Sequence, residues 1–199
     1  YTLYLPSCFG IRFFQILSDY HFYFCHLPFF SYVTLCLGYY YYLTQRNVGK
    51  EGEMTEVEMI ISKDLEKSYP KTAREVVKFY NRILKCYYSQ EYTQEQLVQI
   101  AQQARLLMDE ELKENNPQDV YLEAVKMDIS AYKKEGKKIA NMSVDRTNEV
   151  EYDTKKGKDY AYVDSSYFMK GKKDSKRVNQ TYILRKDENS RWKILGFYQ

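Results

Sequence analysis

Histidine is almost missing from this chain. There are two in 199 residues, His21 and His26, and both lie in an apolar amino-terminal segment. From residue 51 onward there is no imidazole, which excludes the usual zinc sites, Ser/His/Asp triads and Cys/His pairs there. Carboxylates and tyrosines are left as the ordinary acid/base groups. Cysteine is nearly as scarce: Cys8, Cys25 and Cys36 belong to the apolar segment and Cys86 stands alone after it, so neither an internal disulfide nor a thiolate metal site is expected in that part. No glycine-rich phosphate loop occurs, which removes the commonest nucleotide signal. The formal net charge of +3 lacks the basic excess of a dedicated nucleic-acid binder. The chain is therefore expected to hold no metal and no cofactor, to bind no nucleic acid, and to carry no catalytic residue that the sequence can nominate.

What is present falls into two compositions. Residues 1–43 are crowded with Tyr and Phe and carry only Arg12 and Asp19 as charges. Between Asp19 and Arg46 no charge occurs, and residues 22–43 approach the roughly 20 apolar residues that cross a bilayer, with Tyr39 to Tyr42 placed as an interfacial belt. A transmembrane helix is expected there, with the membrane as a partner and a single-pass location in the cell membrane. Leu35 before Cys36 argues against a lipidation site, which needs a small residue at that position. Residues 44–52 read as a polar linker and 53–199 as the folded domain.

Within that domain, helices precede strands. Thr55 with Glu58, Thr72 with Glu75, and Thr93 with Gln96 each have the spacing of a capping box. The first opens a short helix over about 55–67. The second opens one whose apolar face is Val76, Tyr80, Ile83, Leu84 and Tyr87. The third opens a helix that runs through Leu107, Met108 and Leu112 to the break at Asn115, Asn116 and Pro117. A fourth runs from Pro117 through Val120, Ala124, Met127 and Ala131 to Gly136. Past Gly136 the period becomes two: Ala161, Val163, Ser165, Tyr167 and Met169 alternate with polar neighbours, as do Val178, Gln180, Tyr182 and Leu184, with short turns between. The pattern predicts an α+β domain with helices packed on a curved antiparallel meander. Trp192 of the last strand is expected beneath the helices and Lys193 in solvent.

Helices followed by long antiparallel strands that end in a W-K-I strand resemble the nuclear-transport-factor-2-like superfamily, the cystatin-like cone. More closely, "KDLEKSYPKTAREVVKFYNRI", "ARLLMDEEL" and "YILRKDENSRWKILGF" look like an uncharacterised family of membrane-anchored clostridial Firmicutes proteins, over about 53–197. The resemblance implies an extracytoplasmic domain and carries no activity.

The residues themselves offer few candidates for a site. Tyr80, Tyr121, Tyr167, Tyr182 and Trp192 either pack as core or line a cone pocket, where rings supply area and hydroxyls specificity. Asp164 would serve as a base if it faced a concave interior, but alternation with Val163 and Tyr167 turns it toward water. "DEEL", Asp109 to Leu112, reads as the exposed face of a helix. Residues 51–132 hold 10 basic and 16 acidic side chains, against 17 and 10 in 133–199. The runs "KKEGKK", "KKGK" and "KGKKDSKR" could meet anionic polymers, or could be no more than solvated turns. The favoured expectation is a membrane-anchored, extracytoplasmic, non-catalytic binding or scaffolding module of the bacterial cell envelope, with envelope proteins or anionic polymers as partners. Alternatives are a small-ligand sensor using the cone pocket and an enzyme built on Asp164.

Overall fold

The computed structural model describes residues 32–42, 54–172 and 174–199, and the chain divides into two units, Tyr1–Glu53 and Met54–Gln199. In the first, residues 32–42 form helix α1, exposed along its described length. At 1.5 Å per residue its described residues span about 16 Å, roughly half of a bilayer core. No helix among the described residues is long and apolar enough to cross a membrane, which overturns the transmembrane helix expected over 22–43. The physical reason lies in its tyrosines: Tyr39 to Tyr42 supply ring area, but each hydroxyl is costly to place in hydrocarbon. Residues 22–31 and 43–53, which include the expected linker, lie outside the described residues.

The second unit begins with α2 (Glu56–Ile61), α3 (Ala73–Ser89) and α4 (Gln94–Leu106), and each starts in a complete capping box on Thr55, Thr72 and Thr93. Reciprocal bonds such as Glu75 N to Thr72 Oγ1 (3.2 Å) and Thr72 N to Glu75 Oε2 (3.2 Å) satisfy amides that a helix start leaves open. The expected face of α3 is buried apart from the half-buried Leu84, and Val77, Phe79 and Cys86 widen it.

The single helix expected from Thr93 to Asn116 is in fact two. It breaks after Leu106, and α5 (Glu110–Asn115) starts again on Asp109. No glycine or proline lies at the break. Tertiary bonds cause it: Ile194 N donates to Leu107 O (2.8 Å) and Asp109 N to Ile194 O (2.8 Å), a parallel bridge that covers the outer edge of the last strand. α6 (Gln118–Glu135) runs from Pro117 to Gly136. Gly136 is left-handed at φ 64°, and a Cβ there would meet Lys172 Cε at 2.7 Å. The face expected to be buried on α6 is not: Val120, Ala124, Met127 and Ala131 are exposed, and Tyr121, Leu122, Val125, Ile129 and Tyr132 turn inward.

The sheet comprises β1 (Lys138–Val144), β2 (Glu151–Lys155), β3 (Lys158–Lys170), β4 (Ser175–Lys186) and β5 (Trp192–Tyr198). All strands are antiparallel, in the order β1-β3-β4-β5 with β2 also on β3. Lys156 and Gly157 both have positive φ in the β2–β3 turn, the conformation a two-residue hairpin prefers. Curvature can be read from one contact. The Tyr152 ring of β2 lies 5.6 Å from the Trp192 ring of β5, although β3 and β4 separate their strands. α3 packs into the resulting hollow against β1, β3 and β5, while α6 leans on α3.

Candidate functional site

A cavity of about 250 Å³ lies between α3, α6 and the concave face of the sheet. Its residues come from every layer because the α3 stripe, the inward face of α6 and the inward strand positions converge there. α3 supplies Tyr80, Tyr87 and Tyr88; α6 supplies Tyr121, Asp128 and Tyr132; the sheet supplies Tyr167, Gln180 and Tyr182. Tyr80, Tyr121, Tyr167 and Tyr182, named from the sequence, thus meet at one cavity. Trp192 does not join them. It is buried at the far end of the sheet beneath Lys186, and its carbonyl accepts from Tyr69 Oη (2.8 Å). Lys193 is not free in solvent either: it donates to Leu106 O (2.7 Å) and lies 4.4 Å from the Tyr69 ring centre, and burial lowers its pKa.

Beneath the cavity runs a buried polar chain. Ser165 Oγ donates to Ser143 O (3.0 Å) and accepts from Asn81 Nδ2 (2.7 Å), and Asn81 Oδ1 accepts from Tyr167 Oη (3.1 Å). The Tyr167 and Tyr182 hydroxyls bond to each other, and Tyr182 Oη lies 3.3 Å from Gln180 Oε1. Burial pushes the phenols of Tyr80 and Tyr182 well above the ordinary tyrosine value, and those of Tyr87, Tyr121 and Tyr167 also rise. Tyr88 rises through burial and through its bond to the Asp128 carboxylate, which a phenolate would oppose. The lining is therefore a set of neutral phenols at pH 7. Tyr87 is 1% exposed, and its buried hydroxyl makes no hydrogen bond of good geometry, although the Tyr121 phenol lies close enough to act on it.

Sequence reasoning passed over Tyr88 and Asp128 because they sit off the buried stripes of α3 and α6. A signal did exist for the polar chain: Ser165 and Gln180 occupy inward strand positions among apolar neighbours, where an uncompensated polar group is costly.

Elsewhere, Asp164 is exposed on the outer face. It accepts from Thr181 Oγ1 (2.5 Å), and its amide donates to Asp145 Oδ2 (2.9 Å). Asp109, read from the sequence as part of an exposed helix face, is instead 5% exposed. Arg185 grips it with Nη2 to Oδ1 at 2.5 Å and Nε to Oδ2 at 3.0 Å, the fork geometry that favours Arg. The Cys86 thiol is buried and pushed up to about 11 by that burial, which leaves it an inert core residue. No group of three His, Cys, Asp or Glu side chains among the described residues could hold a metal ion. Two of the basic runs meet, since Lys138 pairs with Lys170 in register and Lys172 lies against Gly136, whereas Lys155 and Lys158 flank the β2–β3 turn.

Fold and site together define an α+β domain with a phenol-lined hollow between its layers. The chain belongs to the family described as a domain of unknown function (DUF6715), which matches residues 27–197. No curated protein and no solved structure matches the chain.

Proposed function

We propose that the Met54–Gln199 unit is a non-catalytic module that binds a small ligand in the tyrosine cavity. Helices laid across a curved antiparallel sheet, with a hollow between them, support reading the fold as a nuclear-transport-factor-2-like cone. The observation that carries the ligand reading is the Tyr87 hydroxyl. The Tyr121 phenol acts on it, but without a hydrogen bond of good geometry; a buried hydroxyl left unsatisfied costs about 1–3 kcal/mol, and here it lies beside a cavity where a ligand could satisfy it. Tyr87→Phe in the full chain should leave the free protein equally stable or about 1 kcal/mol more stable in urea unfolding. A loss of stability would mean that the hydroxyl is satisfied within the fold, and the ligand reading would fall.

A second reading is favoured by the basic end of the sheet. Lys138 and Lys170 face each other in the β1–β3 ladder, where like charges repel, and an anionic polymer would relieve this. That reading keeps the cell-envelope address implied by the resemblance. It expects the full chain to bind a soluble polyanion and to lose that binding steeply with salt; binding unaffected by salt would rule it out.

A further inference from the structure

We propose that the cavity beneath α6 takes a small organic cation, an alkylammonium group bearing a hydroxyl or N–H donor, with its charge at the Asp128 end. This rests on the ligand-binding reading above and names the ligand's chemical class. Charge is the first argument. The chain carries 30 Lys and Arg, yet among the described residues none lines the cavity, whose one charged side chain there is the Asp128 carboxylate. Neutral phenols present electron-rich ring faces, which attract a cation and give an anion nothing to pair with.

Geometry places the charge. Asp128 accepts from the Tyr88 hydroxyl, and beside it the Tyr88 and Tyr132 rings stand 4.5 Å apart, tilted by 33°. Asp128, exposed at the rim, lies beside this packed ring pair, so that a cation at the carboxylate would meet the outer side of the rings rather than the space between them. Nearby cations are already engaged. Lys137, which acts on Tyr132, pairs with Glu135 at 2.5 Å. Arg105 stands over the Tyr121 ring at 5.7 Å and donates to Asn116 O (2.6 Å). Tyr121 lies two helical turns from Asp128, roughly 10 Å along α6, so Arg105 pushes a cation toward the Asp128 end. The inner end is short of donors. Tyr167 and Tyr182 have two hydroxyl protons for three acceptor contacts, and Tyr87 Oη has no hydrogen bond of good geometry, although the Tyr121 phenol acts on it. A ligand hydroxyl or N–H finds an open acceptor there.

Three probes that share a trimethyl head test the class on the full chain: choline, its neutral analogue with carbon in place of the quaternary nitrogen, and pivalate, a shorter molecule, as the anion. Calorimetry and tyrosine-ring NMR should show choline binding roughly tenfold tighter than the neutral analogue, with shifts at Tyr88 and Tyr132 and none from pivalate. Asp128→Asn, which keeps an acceptor for Tyr88, should weaken choline by about tenfold and leave the neutral analogue unchanged. Equal binding of the neutral analogue, or an Asp128→Asn variant that still binds choline fully, would overturn the cation class and leave the ligand-binding reading standing. No binding of any probe would also overturn it, and the Tyr87→Phe stability measurement judges the broader reading independently.

Discussion

α3 and α6 border the same cavity and have nearly the same length, 17 and 18 residues, yet α3 buries nine side chains and α6 only Ile129. α3 lies between the sheet and the other helices, so its wide stripe is enclosed. α6 leans mainly on α3 and shows water the apolar line Val120, Ala124, Met127 and Ala131. Burial measures how firmly an element is held: α3 belongs to the core, while α6 is a wall added to complete the hollow. A ligand held between them would bridge the firm layer and the lighter one.

Alkali should weaken the phenol-lined layers most strongly, since buried tyrosines come from α3, α6 and the sheet alike. Tyr80, Tyr87 and Tyr182 have folded pKa values raised by burial, so their stabilising contribution is complete below the unfolded value near 10 and is lost as pH rises beyond it. Each phenol then withdraws about 1.4 kcal/mol per pH unit, on the order of 4 kcal/mol together. Urea midpoints should hold steady from pH 7 to 9 and drop sharply between 10 and 11; a flat profile would show these phenols to be hydrated.

The staple on the sheet-held side comes next. Asp109→Ala removes a buried carboxylate and the cap on Glu111 N, and leaves the half-buried Arg185 guanidinium with Glu111 as its remaining partner; it should cost about 3 kcal/mol, read by chemical denaturation. A loss below about 1 kcal/mol would show that water reaches the pair.

Ile83→Ala in α3 should cost about 2–5 kcal/mol, because the side chain is fully enclosed. Ile129→Ala in α6 should cost clearly less, since its neighbours Val125 and Tyr132 on α6 are only half-buried and the site can collapse. Equal losses would place α6 in the core and break the contrast.

The smallest effect is expected on the outer line of α6. Met127→Lys, at a position 71% exposed, should change stability by about 0.5 kcal/mol or less. A larger loss would mean that this line is covered in solution.

What the sequence determined by itself is what short spacing encodes. Thr55, Thr72 and Thr93 cap their helices because the glutamate or glutamine three residues on can reach back, Gly136 stops α6 because it adopts positive φ without strain, and Ala161 to Met169 alternate because a strand has period two. Four of the five aromatic positions named for a pocket were legible for the same reason, since they lie on apolar stripes or in strands. Tertiary structure alone decided the rest. Nothing near Leu107 announces a helix break, because its cause is Ile194, far along the chain. Asp109 looks solvent-exposed until Arg185 arrives, and α6 has two apolar stripes whose choice depends on what α3 offers. The hollow is likewise a property of no segment: its lining comes from α3, α6 and the sheet, and no local pattern shows that these side chains leave space between them.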